Sequence, residues 1–202
     1  MMNDNTKLTY VIEREESLYK GFFRAARYFF HHSLFRGGKS PTVIREAFLR
    51  TPAAAALLYD RALDNVVLIE QFRVGPMIAG EFPWMLEVVA GIAEPNEKPE
   101  EVVVREAIEE SGCTITELLP IFSYYPSPGA CNEIVHLYCG MTDSSNAGGI
   151  HGLDEENEDI KVHVVPAGEA LGLLDSGKIN NATTIIALQW LRTYRENLNR
   201  IP

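Results

Sequence analysis

The sequence predicts an α/β domain in which a mixed sheet is covered by helices on both sides. Short runs rich in apolar or β-branched residues are bounded by Asp, Gly, Pro or Asn, which is the pattern of strands. Two longer stretches carry apolar residues at helical spacing. Strands and helices do not alternate as a regular βαβ repeat, which favours a mixed sheet over a parallel one.

Taken in order, the chain opens with MMNDNTKLTY, which has no basic region followed by an apolar core and so predicts no secretory leader. Tyr19–Phe35 is dense in aromatics and arginines and breaks at Gly37-Gly38 and Pro41. Its apolar residues fall in pairs (Phe22-Phe23, Phe29-Phe30) without the stripe of a membrane-surface helix, so it reads as a β-arm. The expected division is an arm over residues 1–50 and a main domain over 51–202. Strands are expected at Ala53–Tyr59, Val66–Phe72, Met85–Val89, Ile121–Tyr125, Ile134–Met141 and Val162–Val165. Helices are expected at Glu100–Ser111, with Val104, Ala107 and Ile108 at helical spacing, and at Asn180–Leu198.

Composition bounds the function. The chain has 202 residues, 46% of them hydrophobic and 23% charged, enough for one well-buried domain with a short extra module. A formal net charge of −10 excludes a protein that grips nucleic-acid backbone, which must supply Lys and Arg in place of counterions. No stretch approaches the length of a membrane span. Cys113, Cys131 and Cys139 lack a CxxC pair and sit in apolar surroundings, as reduced thiols of a cytoplasmic protein do.

The chemistry concentrates in Gly91-Ile-Ala-Glu-Pro-Asn-Glu97, seven further residues, and Arg105-Glu-Ala-Ile-Glu-Glu-Ser-Gly-Cys113. On a helix starting near Pro99, Glu106, Glu109 and Glu110 project together, with Val104 and Ile108 on the opposite side. Like charges so placed repel one another and gain by binding a hard cation, magnesium or manganese, through oxygen. Arg105 can pair with Glu109 one turn on, leaving Glu106 and Glu110 for the ion. A bare Glu-Ala-Ile-Glu-Glu is ordinarily a solvated helix face. The wider spacing decides otherwise.

The whole stretch resembles the Nudix box: Gly, five residues, Glu, seven residues, Arg-Glu, an apolar residue, any residue, Glu-Glu, any residue, Gly and an apolar residue. Every position is met, with Ala107 and Cys113 small for the apolar slots. A chance match is on the order of one in a million or rarer, given average residue frequencies. The resemblance implies a Nudix α/β/α sandwich in which Glu106, Glu110 and the Ala90 carbonyl hold Mg2+ (or Mn2+) beside a diphosphate, while Glu97 and Glu109 orient the assembly.

Further likeness narrows the family to bacterial ADP-ribose pyrophosphatases. It runs from about Leu18 to Leu191 and includes Tyr19-Lys-Gly-Phe-Phe23, Arg45-Glu46, Val66-Val-Leu-Ile-Glu-Gln-Phe-Arg73, Trp84-Met-Leu-Glu-Val-Val-Ala-Gly91 and Ile186-Ala-Leu-Gln-Trp-Leu191. Ser127-Pro128-Gly129 resembles the loop bordering the terminal ribose, and Glu133 the glutamate after it. The acidic run His151–Ile160, expected as a mobile loop, resembles the catalytic loop: Glu156 would activate water, with Glu155 its competitor, and Glu158 would reach the metal. Phe22 or Phe23 would stack on adenine, and Arg45, Glu46, Arg50, Arg73 and Ile92 match positions lining the substrate cleft. The arm would reach a second subunit, which implies a homodimer. The implied reaction is hydrolysis of ADP-ribose to AMP and ribose 5-phosphate. Other readings are another Nudix substrate, such as GDP-mannose or NADH, and a Nudix module that binds a nucleotide without cleaving it.

Overall fold

The structure, a computed structural model, describes residues 8–198. Most of the N-terminal segment read for a leader lies outside them. The chain divides into two compact units, one formed by the described residues up to Thr51 together with Tyr125–Glu133, the other by Pro52–Tyr124 and the residues from Ile134 onward.

The first unit is an antiparallel meander of β1 (Tyr10–Lys20), β2 (Arg24–His32) and β3 (Val43–Leu49). The β1–β2 turn is closed by the Gly21 N–H, which donates to the Phe23 carbonyl at 2.9 Å. Most side chains of β1 are exposed, and Ala26 is buried. Residues 125–133 join this unit through hydrogen bonds from the backbone that ends β3: Phe48 N–H donates to the Ala130 carbonyl at 2.7 Å, and Arg50 N–H donates to the Asn132 side chain at 2.7 Å.

The second unit holds an eight-stranded mixed sheet. Its elements are β4 (Ala53–Asp60), β5 (Asn65–Phe72), α1 (Val74–Ala79), β6 (Trp84–Glu87), β7 (Val89–Ile92), α2 (Pro99–Ser111), β8 (Glu117–Tyr124), β9 (Val135–Met141), β10 (Gly149–His151), β11 (Ile160–Pro166), α3 (Ala167–Asp175) and α4 (Ala182–Leu198). The strand order is β10-β11-β5-β4-β9-β8, with β6 on β5 and β7 on β4. β4 and β9 run parallel, and the other pairs are antiparallel.

β4 reads Ala-Ala-Ala-Ala-Leu-Leu-Tyr-Asp, a continuous apolar run because both its faces are covered. Ala55, Leu57 and Tyr59 pack in the layer of α3 and α4, with Leu68, Leu137, Leu188 and Leu191. Ala54, Ala56 and Leu58 pack in the layer of α2, with Val67, Ile69, Val102, Val103 and Ala107. Helices on both sides of a mixed sheet are the predicted α/β/α arrangement.

The differences from the sequence reading have local causes. The expected strand Met85–Val89 is two strands, because the chain changes partner at Val88: Glu87 pairs with Ile69 on β5 and Val89 with Ala56 on β4. α1 and α3 were not anticipated; the first is six residues long and the second carries glycines at 168 and 172, which weaken a helical signal.

Candidate active site

β7 leads into α2, and the site is built where they touch. Pro99 occupies the first turn of α2, where its missing N–H costs nothing, and the Glu101 carboxylate accepts the Lys98 N–H at 3.0 Å. Gly112 ends the helix in the left-handed region at φ 68°.

The face that α2 buries is not the one predicted. Val104 and Ile108 are 40% and 52% exposed, while Val102, Val103, Ala107, Glu110 and Ser111 are buried. Val103, Ala107 and Glu110 form a stripe at spacings of four and three, and the small Ala107 admits close approach to the sheet. The consequence is chemical: Glu110 lies on the core side, 3% exposed, and its Oε2 accepts the Ala90 N–H at 2.8 Å.

Burial raises the Glu110 carboxyl to about 8, and the charges of Glu106 and Glu158 add to this, against the Ala90 N–H and the Arg73 guanidinium. Glu106 is also raised, by burial first and by the charges of Glu109 and Glu158, against its bond from Arg105. Glu158 thus lies close enough to act on both. Glu106 rests over β7 at Gly91, where a Cβ would fall 1.7 Å from its Oε1. The glycine of the box leaves room for the carboxylate.

Arg105 does more than the predicted pairing. Its guanidinium meets Glu97 through Nε at 3.0 Å and Nη2 at 3.2 Å, Glu106 at 2.7 Å and Glu109 at 3.0 Å. Glu106 is therefore not left free. Glu97 also accepts the Glu94 N–H at 2.9 Å, which fixes the turn before the helix. Arg73 is paired through Nε with Glu87 at 2.6 Å, and Ile92 is the last residue of β7.

Among the described residues no three His, Cys, Asp or Glu side chains are gathered at ligand distance. Each carboxylate is instead drawn to a protein donor: Glu106 to Arg105, Glu110 to the Ala90 N–H and Glu158 to the Leu153 N–H at 3.2 Å. The donor set still fits a hard cation. A buried carboxylate, two others repelling it, and a glycine cradle in which one of them lies are all oxygen chemistry suited to magnesium.

The acidic run carries local structure. β10 and β11 form a hairpin whose connection contains a 3-10 turn at Asp154–Glu156. Glu155 and Glu156 are exposed on it and Glu158 is half-buried.

The first unit gathers a second group. Phe23 packs against Phe48 with ring centroids 5.2 Å apart and against the exposed Phe22 at 4.8 Å. The Arg50 guanidinium lies 5.0 Å from the Phe23 ring centroid and pairs with Glu133 at 3.2 Å. Arg45 donates to the Ile44 carbonyl at 2.7 Å, and Glu46 pairs with Arg27 at 2.7 Å. Ser127, Pro128 and Gly129 form an exposed turn in which the Ser127 carbonyl accepts the Cys131 N–H at 2.9 Å.

Sequence reasoning missed Phe48, Glu87 and Gln71. Phe48 lies near the end of β3, two residues before Arg50, in a strand of alternating exposure, a signal that was available. Glu87, in the Trp84–Gly91 stretch, carries no sign in the sequence of its pairing with Arg73. Gln71 is buried on β5 and its amide nitrogen has no hydrogen-bond partner among the described residues, which no pattern in the sequence marks.

Fold and site together define an α/β/α protein with a helix whose carboxylates gather against a glycine of the neighbouring strand. The NUDIX domain model matches residues 49–188, and the chain belongs to the Nudix family of hydrolases. It is 46% identical over 181 residues to an ADP-ribose pyrophosphatase of Haemophilus influenzae, covering 88% of this chain and 83% of that one. To the ADP-ribose pyrophosphatase of Escherichia coli strain K12 it is 45% identical over 201 residues, 96% of each chain. A GDP-mannose pyrophosphatase of Citrobacter koseri is 37% identical over 153 residues, 74% of this chain and 78% of that one. A crystal structure of an ADP compounds hydrolase superposes with a TM-score of 0.73 over 95% of this chain and 97% of that one, at 18% identity, a likeness of fold.

Proposed function

We propose that this Nudix hydrolase cleaves the diphosphate of ADP-ribose, giving AMP and ribose 5-phosphate. The observation that carries the reading is 45–46% identity to ADP-ribose pyrophosphatases over nearly the whole chain, against 37% over a shorter stretch for the GDP-mannose enzyme. The buried Glu110 beside Glu106 and Glu158 favours catalysis over mere nucleotide binding, since burial of carboxylates is costly without a cation to balance them.

Glu106, Glu110, Glu158 and the Ala90 carbonyl are the residues that would hold magnesium, with manganese a chemical substitute. When bound, the ion would neutralise diphosphate oxygens and acidify water. Glu156, exposed on its turn, takes a proton from the attacking water as oxygen bonds to one phosphorus and the bridging P–O bond breaks. Glu155 is the alternative base. Arg105 holds Glu97, Glu106 and Glu109 in register, and Arg73, whose charge acts on Glu110, would grip phosphate oxygens.

Phe22, Phe23, Arg45, Glu46, Arg50, Ser127, Pro128, Gly129 and Glu133 are assigned to the nucleoside and ribose, with Ile92 beside the diphosphate. The ring face of Phe22, 86% exposed, suits stacking on adenine. Tyr10, Ile12, Tyr19 and Ile44 on the arm are also exposed, more apolar surface than a lone chain ordinarily shows, which supports a homodimer. Three free cysteines suit the cytoplasm.

Initial rates with magnesium over ADP-ribose, GDP-mannose and NADH test the substrate. ADP-ribose should have the highest kcat/KM; faster turnover of GDP-mannose would reassign it, and no turnover of any would favour the binding module.

A further inference from the structure

The two groups of carboxylates assigned to hydrolysis stand on different elements. Glu106 and Glu110 are on α2, whereas Glu156 and Glu158 are on the connection between β10 and β11. Side chains on a surface connection hold their place only if something ties that connection down, and misplacement by about 1 Å can cost about 100-fold in rate.

The tie is at the C-terminal end of α2. Gly152 N–H donates to the Glu109 carbonyl at 3.2 Å, taking up one of the carbonyls that the end of a helix leaves without an intrahelical partner. Beside it the His151 ring covers Gly112, where a Cβ would lie 2.8 Å from the imidazole Cε1. The ring is oriented by a hydrogen bond between its Nε2 and the Gly148 carbonyl at 2.9 Å. So α2 ends in a glycine partly because an imidazole occupies the space of any side chain.

Gly152 then determines where Glu158 goes. It has φ of +103°, and a Cβ would fall 2.6 Å from the Glu158 Cβ and 3.2 Å from the Glu158 carbonyl carbon and oxygen. The Glu158 N–H donates to the Leu153 carbonyl at 3.2 Å, and the Leu153 N–H donates to the Glu158 carboxylate at the same distance. The Glu156 N–H donates to that carbonyl as well, at 3.0 Å. Helix end, Gly152, Leu153, Glu156 and Glu158 are thus linked by consecutive short contacts.

We propose that His151 and Gly152 are positioning residues for hydrolysis, forming a joint that fixes the turn bearing Glu156 and Glu158 to the end of the helix bearing Glu106 and Glu110. The proposal rests on the assignment of Glu156 as base and Glu158 as metal ligand. It goes beyond that assignment in naming what holds the two carboxylates in place.

The test uses the full chain with Gly152→Ala, His151→Ala and His151→Gln, each alone, and Gly152→Ala combined with Glu156→Gln. Gly152→Ala and His151→Ala should lower kcat for ADP-ribose by about 10- to 100-fold with KM changed less than about threefold. His151→Gln should recover most of the loss, because its amide nitrogen can donate to the Gly148 carbonyl. In the Glu156→Gln background, Gly152→Ala should cost less than it does in the wild-type chain, since a base already removed cannot be misplaced and only the displacement of Glu158 is still felt. Hydrogen exchange should quicken at residues 153–159 while the α2 amides stay protected. Faster exchange with unchanged kcat, equal kcat for His151→Gln and His151→Ala, or full multiplication of the two losses in the double variant would overturn the proposal. Unchanged kcat in Glu156→Gln alone would instead overturn the base assignment, with the joint still judged by exchange and by the single variants.

Discussion

Glu110 shows how one position sets both chemistry and stability. Its carboxyl, raised to about 8 by burial and by Glu106 and Glu158, keeps a proton that the unfolded chain loses near 4.5. In metal-free protein this extra proton affinity stabilises fully at low pH and is lost as pH rises from about 4.5 through about 8. Glu110→Gln keeps an oxygen for the Ala90 N–H and removes the charge. It should lower kcat by a factor of about 100 or more while leaving the metal-free thermal midpoint at pH 8 unchanged or higher. A lowered midpoint with activity retained would show that the carboxylate serves folding alone. Gly91→Ala acts on the neighbour: the new Cβ displaces Glu106, so activity should fall steeply, whereas urea unfolding should shift little because only a flexible side chain must move. The box glycine, Glu106 and Glu110 were legible as a spacing. The burial of Glu110 was not, because the identity of the buried face depends on how α2 rolls against the sheet.

Helices and strands with strong periodic or β-branched signals were legible, and short or partner-switching ones were not. β4, β5, β9 and α4 fall close to their expected spans, whereas the break at Val88 exists only because two different strands receive the flanking residues. α4 is tied to that break. Its Thr184 hydroxyl accepts the Val88 N–H at 3.1 Å, and Asn181 caps the helix by accepting the Thr184 N–H at 3.0 Å while donating to the Leu86 carbonyl at 2.8 Å. Asn181→Ala should therefore destabilise by about 1–2 kcal/mol, measured by chemical unfolding, with activity per folded molecule preserved. A loss below a few tenths of a kcal/mol would mean water replaces both bonds. The glycine and histidine of the acidic connection meet α2 from far along the chain, a contact that no local pattern announces.

For the whole molecule, the exposed apolar residues of the arm carry the prediction of association. Light scattering should give twice the chain mass at micromolar concentration, and a monomer at every concentration would leave Tyr10, Ile12, Tyr19 and Ile44 without the role assigned to them. The arm's β-character could be read from its aromatic pairs and glycine break. The membership of residues 125–133 in the same unit could not, because it rests on hydrogen bonds from the backbone of Phe48 and Arg50 rather than on composition.

The parallel pairing of β4 with β9, Ala53 opposite Val135 through Tyr59 opposite Met141, joins strands encoded far apart. A ribosome must release most of the protein before that central ladder can close, and until then the Ala-Leu row of β4 lacks one hydrogen-bonding flank. That uncovered row is an aggregation hazard during synthesis, so slow translation or heat during expression should favour inclusion bodies.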